Sequence, residues 1–157
     1  MQKEDLHDYV MVEKKVFPEI VLKKLTVKDA QADFEAIQNS AELIRKLVET
    51  NWPDDNFNFK DNKIDIERHE SEFREGRNYT FGVWDPTEQN YLGCVYFYRE
   101  EKPWLKNIPS NCDVVVEFWV TQYAYDQGMF NKLLNSLKGW LDSKELPFKS
   151  PYFSNQK

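Results

Sequence analysis

One stretch limits the fold more than any other. Asp113-Val-Val-Val-Glu-Phe-Trp-Val120 is apolar on both faces except at Asp113 and Glu117. A strand of this kind belongs near the centre of a sheet that is covered on both sides. Two runs rich in aromatic and β-branched residues precede it, Tyr79-Thr-Phe-Gly-Val-Trp84 and Tyr91-Leu-Gly-Cys-Val-Tyr-Phe-Tyr98. The polar turn Asp85-Pro-Thr-Glu-Gln-Asn90 joins them into an expected β-hairpin. Ile20, Val21, Leu22 and Leu25 flank Lys23-Lys24 as a further strand, and residues 148–153, after Pro147, suffice for a short last one.

Helical signals fill the remaining segments. Thr26-Val-Lys-Asp29 has the capping-box pattern, in which the Thr hydroxyl and the Asp carboxylate exchange bonds with each other's amides. Ala30, Phe34, Ile37, Ala41, Ile44 and Val48 then recur every three or four residues. Asn39-Ser-Ala-Glu42 is a second start signal inside that stripe, which leaves one helix and two helices meeting at a bend equally open. Trp52-Pro53 is the expected stop. Asn58-Phe-Lys-Asp61 starts a helix through Ile64, Ile66, His69 and Phe73 that ends near Gly76. Met129, Phe130, Leu133, Leu134, Leu137, Trp140 and Leu141 mark a final helix over about 128–143. The expected order is β-α-α-α-β-β-β-α-β, a mixed α/β (α+β) domain with a mainly antiparallel sheet. Its last helix crosses over between two parallel strands. Residues 1–18 show no clean period and are expected to form an N-terminal arm ahead of a single domain at 19–157.

Charge and composition narrow the function. With 21 Lys and Arg against 27 Asp and Glu, the net charge is −6, which disfavours nucleic acid as a partner. No apolar run is long enough to span a bilayer, and the charged start does not resemble a signal peptide, so a cytoplasmic location is expected and no membrane association. Cys94 and Cys112 fit a reducing compartment, and with only His7 and His69 no metal site is expected.

The passage Val120-Thr-Gln-Tyr-Ala-Tyr-Asp-Gln-Gly128-Met-Phe-Asn131 is the most informative for chemistry. A strand that leads through a glycine into a helix offers unpaired amides and a positive dipole end to an anion such as a pyrophosphate. The sequence here resembles the GNAT superfamily of acetyl-CoA-dependent N-acetyltransferases, in a short bacterial branch. The resemblance covers about residues 20–153. It is carried by Leu25-Thr-Val-Lys-Asp29, Tyr91-Leu-Gly-Cys-Val-Tyr96, Glu117-Phe-Trp-Val120 with Gln127-Gly128, and Asp65-Ile-Glu-Arg-His-Glu-Ser-Glu-Phe73. The family's phosphate loop reads Q/R-x-x-G-x-G/A; Tyr125-Asp-Gln-Gly128-Met-Phe130 keeps one glycine, has Phe130 at the second, lacks Arg and adds Asp126. The family also continues through another helix and two strands beyond the point where this sequence ends.

The resemblance implies an acyl-CoA N-acyltransferase-like fold. It implies acetyl-CoA as co-substrate, with pantetheine along the edge where the strand ending at Val120 splays from the last strand. It also places pyrophosphate on the amides of Gln127, Gly128, Met129, Phe130 and Asn131. The acceptor would be a small amine attacking the thioester directly, with Val120 amides polarising the carbonyl and Glu117 removing the proton. Tyr123, in the expected cofactor-side loop with Tyr125, is a candidate catalytic acid or adenine contact, with loop packing the simpler reading. The alternative is a degenerate, non-catalytic module of the same fold that binds a partner or a second copy of itself. Glu117 also has a purely structural reading, as a carboxylate bonded to neighbouring groups. His69 and Glu70 could border the acceptor, although a half-buried His69 without a role in chemistry is the simpler reading. Trp119 shares the parity of Glu117 and would wall the same cavity.

Overall fold

The computed structural model describes residues 9–155; residues 1–8 of the expected arm lie outside the described residues. The chain runs β1 (Lys14–Val16), β2 (Val21–Lys24), a 3-10 turn at Val27–Asp29, α1 (Ala30–Asn39), α2 (Ala41–Val48) and α3 (Phe59–Arg74). It continues through β3 (Asn78–Trp84), β4 (Tyr91–Tyr98), β5 (Val114–Val120), α4 (Gln122–Asp126), α5 (Met129–Asp142) and β6 (Pro151–Phe153). The sheet has the order β1-β2-β3-β4-β5-β6, antiparallel except for the β5–β6 pair. No helix among the described residues is long and apolar enough to cross a membrane.

Two elements depart from the expected order. Lys14–Val16, inside the expected arm, pairs antiparallel with β2 as an edge strand. A three-residue strand has too few positions to show a period of two; what fixes it is the neighbouring strand. The residues directly after Val120 are expected to be loop, yet Gln122–Asp126 forms a helical turn. Thr121 Oγ1 accepts from the Ala124 amide at 3.2 Å, and Ser40 Oγ accepts from the Gln122 amide at 2.9 Å.

The same Ser40 resolves the one-or-two-helix question. It closes α1 and opens α2 with φ −126° and ψ 19°, so the chain bends there, and its hydroxyl ties that bend to the start of α4. α2 stops before the expected Trp52-Pro53, at Glu49 in a left-handed conformation with φ 53°. The expected capping box forms, with the Thr26 amide donating to Asp29 Oδ2 at 3.0 Å, and the start signal at Asn58 proves to be a second one, Asn58 Oδ1 accepting from the Asp61 amide at 2.9 Å.

Alternation along β5 divides the interior into two layers. Val114, Val116, Phe118 and Val120 face the α5 side, where Trp140 packs edge-on against Phe81 and Phe97 at 6.1 and 5.8 Å. Val115, Glu117 and Trp119 face α1, α2 and α3. On that side α1 buries a carboxylate, Asp33, which accepts from the Tyr91 hydroxyl and from Asn62 Nδ2 at 3.0 Å. Burial pushes the Asp33 carboxyl up to about 6, partly offset by those two donors.

Gly93 sets how closely β4 and β5 approach next to Val120, its register partner. A Cβ at Gly93 would collide with the Trp119 carbonyl oxygen and crowd Val120 Cα, both of which are backbone atoms. Gly93→Ala is therefore expected to lower stability by about 3 kcal/mol, read as a fall in the urea midpoint; an unchanged midpoint would show that the two strands can separate without loss.

Candidate functional site

Glu117 lies on β5 opposite Tyr96 of β4 and is 6% exposed. Ser154 Oγ donates to its Oε2 at 3.0 Å. Burial pushes the carboxyl up to about 7, and the Ser154 bond draws it back only in part. Glu117 lines a cavity of about 300 Å3 together with Trp119, Tyr96, Tyr98, His69 and Trp104. Trp119 thus stands beside Glu117, as its parity requires. Trp119 Nε1 donates to the Tyr96 hydroxyl at 3.0 Å, which fixes that wall.

His69 faces the same cavity from α3, with Nδ1 3.1 Å from Thr80 Oγ1. Burial lowers its pKa to about 3, so the ring is neutral at physiological pH. Glu70 acts away from the cavity. Its Oε1 accepts from the Val27 amide at 2.6 Å and holds the turn before α1. Burial pushes both the Cys94 and Cys112 thiols up, so neither is prepared as a nucleophile. Among the described residues, no group of three or more His, Cys, Asp or Glu side chains could hold a metal ion.

The outer edge of β5 changes partner within the reach of Glu117. Pairing with β6 covers Val114, Val115 and Val116. The Ser154 amide then donates to the Val116 carbonyl at 3.0 Å, and Asn155 Oδ1 accepts from the Phe118 amide at 2.7 Å. Asn155 Nδ2 in turn donates to the Leu47 carbonyl at 2.5 Å, bridging β5 to the end of α2. The Thr121 amide faces β4, donating to the Leu92 carbonyl at 2.8 Å, so alternation turns the Val120 amide to the outer edge, beyond Asn155.

The start of α5 is more selective than its sequence suggests. Gln127 donates its amide to the carbonyls of Tyr123 and Ala124, and Gly128 donates to Tyr125 at 3.0 Å. α4 therefore uses two of the five amides expected to meet a pyrophosphate, leaving Met129, Phe130 and Asn131 as the first-turn donors. Gly128 has φ 77°, which admits the turn into α5 without a Cβ penalty, and no heavy atom lies within 4 Å of where a Cβ would stand. Phe130, in place of a second glycine, packs on Phe118 of β5 with ring centroids 4.8 Å apart. Asp126 accepts from Gln122 Nε2 at 2.9 Å, one turn back on its own helix.

Tyr123 does not join Glu117. It is 68% exposed on α4 and lines a separate cleft of about 860 Å3 with Tyr91, Gln127, Met129 and Lys132. That cleft shares no lining residue with the Glu117 cavity. The tyrosines that do share the cavity are Tyr96 and Tyr98. Burial keeps both hydroxyls well above their usual pKa, and the neighbouring Glu117 carboxylate raises Tyr98 further. Their run reads in sequence as hairpin core; only its register against Glu117 reveals the shared face.

No family model matches the sequence, and no curated protein matches it. Solved structures do match in shape. A candidate ribosomal-protein-serine acetyltransferase from Vibrio cholerae superposes with a TM-score of 0.60 at 20% identity, over 81% of this chain and 66% of that one. The microcin C7 self-immunity acetyltransferase MccE, solved with acetyl-CoA and AMP, gives 0.61 at 20% identity over 82% of this chain and 66% of its own. A candidate GnaT-family acetyltransferase from Bordetella pertussis gives 0.64 at 10% identity over 85% and 75%. The chain spans about two thirds of the length of the first two. It has the acyl-CoA N-acyltransferase-like fold of the GNAT acetyltransferases.

The burial of Glu117 has a thermodynamic signature. Folding raises its pKa from 4.5 to about 7, so the stability it contributes is complete below about pH 4.5 and is lost as pH rises through about 7. The complete loss is on the order of 3 kcal/mol. Glu117→Gln should show a smaller fall in denaturation free energy between pH 5 and pH 8 than the parent protein, with the Asp33 share remaining. Equal slopes for the two proteins would mean that Glu117 is already ionised in the fold at pH 5.

Proposed function

We propose that this chain is an acetyl-CoA-dependent N-acetyltransferase, with the acceptor amine entering the cavity beside Glu117. The observation that carries this reading is a buried carboxylate with a pKa of about 7, lining a small cavity where β5 has lost its β6 partner. The fold, and the solved neighbour MccE with its bound acetyl-CoA, support it. The small acceptor and the cytoplasmic setting belong to the same proposal.

The residues present fit a CoA thioester. The outward Val120 amide meets the pantetheine or the thioester carbonyl, and the amides of Met129, Phe130 and Asn131 take the pyrophosphate at the positive end of α5. Gln127 and Gly128 shape that turn and leave their own amides bound within it. Acetyl-CoA supplies an activated acetyl group: the amine nitrogen forms the C–N bond as the C–S bond breaks, with its electron pair leaving on sulfur. Glu117 takes the proton that the nitrogen must shed, and a carboxylate with a pKa near 7 suits that work at neutral pH. Thiols ionise near pH ~8.5, so the departing thiolate is a weak base and takes its proton from water. Tyr123 lies apart from the Glu117 cavity, in the cleft that Gln127 and Met129 also line, so the scheme gives it no proton-transfer step at Glu117.

Acetyl-CoA at 100 times its dissociation constant should add about 2.7 kcal/mol to stability, visible as a rise in Tm. Absence of a shift at millimolar acetyl-CoA contradicts the proposal and favours a non-catalytic module. Gly128→Val, which forces a β-branched residue into a left-handed turn and fills the space before the helix, should weaken that shift.

With an amine acceptor, kcat/KM should rise with pH through about 7 as Glu117 ionises. Glu117→Gln should reduce it by roughly 10²–10⁴ and remove that inflection. An unchanged profile in the variant would take the base role away from Glu117.

A further inference from the structure

The cavity that holds Glu117 is built for a particular kind of amine. Its volume of about 300 Å3 is at the lower end for small-molecule sites, roughly 300–1,000 Å3, so it admits one compact group. Five of its lining side chains are aromatic: Trp52, Tyr96, Tyr98, Trp104 and Trp119. These rings are braced. Tyr96 and Tyr98 lie parallel within 3°, Trp104 meets Tyr98 edge-on at 5.9 Å, and Trp52 meets Phe57 edge-on at 5.6 Å.

Charge is sparse on the same walls. Asp65, Arg68 and Glu117 are the charged side chains that line the cavity. Arg68 pairs with Asp65 at 3.6 Å and with Glu72 at 3.1 Å, so the Asp65 charge is met by its own helix. His69 is neutral. Glu117 is then the one lining carboxylate outside an ion pair among the described residues, and its hydrogen-bond partner, Ser154, is uncharged. A ligand with one amine can place it at Glu117 and its remaining surface against π faces. A second ammonium would find no second free carboxylate and would lie near the Arg68 guanidinium. A ligand carboxylate would have to compete with two existing partners for Arg68.

From the pairing of one free carboxylate with five aromatic walls, we propose that the acceptor is an arylalkylamine, a single primary amine on a short linker from a planar aromatic ring. This rests on the acetyl-transfer reading of the same site. In the transfer step the arylalkylamine nitrogen bonds to the acetyl carbon, the C–S bond breaks toward sulfur, and the surplus amine proton passes to Glu117. Ring stacking and edge contacts supply the selectivity, with Trp104, 37% exposed, at the rim of the cavity.

The test uses the full chain with saturating acetyl-CoA and measures thiol release with 2-phenylethylamine, tryptamine, hexylamine, spermidine and phenylalanine as acceptors. The two arylalkylamines should exceed hexylamine, spermidine and phenylalanine in kcat/KM by at least about tenfold. Trp104→Ala should raise KM for 2-phenylethylamine by about tenfold, while its kcat and the dissociation constant of acetyl-CoA stay as in the parent. Spermidine or hexylamine turned over as well as 2-phenylethylamine, turnover of none of the five, or a Trp104→Ala variant with unchanged KM would each overturn the arylalkylamine assignment. Calorimetric titration of acetyl-CoA alone separates the two levels. Binding without aryl preference defeats only this inference, whereas no binding defeats the acetyltransferase reading beneath it.

Discussion

The point on which the rest of the site depends is where β5 loses β6. Three residues, Val114 to Val116, have a strand partner on that side, and the next amide, that of Phe118, is taken by the Asn155 side chain instead. A parallel pair that ends so early leaves the remaining backbone of β5 facing outward while its other edge stays paired with β4. Backbone groups in this position need partners, and an extended ligand with amide groups can supply them. Asn155 marks the boundary. It satisfies Phe118, reaches across to the Leu47 carbonyl of α2, and leaves the outward position at Val120 one register further on.

The two faces of β5 then divide the work. On one face Phe118 receives Phe130, which anchors the first turn of α5 beside the strand edge. This gives a physical reason for an aromatic residue where a second glycine stands in the family pattern: here the contact between helix and strand is made by packed rings. On the other face Glu117 and Trp119 project into the aromatic cavity. The outward Val120 amide, proposed to meet the cofactor, and the buried carboxylate are thus held by one strand, at opposite parities. Ser40 and Thr121 add rigidity by capping α4, which fixes the connection between the strand and α5.

Much of this is legible in the chain. The apolar run with an isolated Glu117 announces a buried carboxylate, and both capping boxes mark true helix starts because their bonds are local to four residues. The hairpin follows from its β-branched and aromatic runs with a turn of Asp, Pro and Asn. What sequence does not supply is long-range or very short. β1 exists through its pairing with β2, and α4 is a single turn with no room for an apolar stripe. The use of the Gln127 and Gly128 amides follows from α4, so it is hidden with it. Tyr123 is a reasonable candidate by proximity in sequence, yet the helical turn carries it into the other cleft. Tyr96 and Tyr98 look like core in a hairpin strand, and their place on the cavity wall emerges only from the register that sets them opposite Glu117 and Val115.

Amide hydrogen exchange, measured by mass spectrometry with and without acetyl-CoA, reads the open edge of β5 itself. The ligand should slow exchange in two separated segments, residues 118–120 on that edge and residues 129–131 at the start of α5. Residues 85–92, by the cleft that contains Tyr123, should be unchanged. Slowed exchange confined to residues 85–92 and 122–123, with residues 118–120 and 129–131 unaffected, would contradict a cofactor site on β5 and α5.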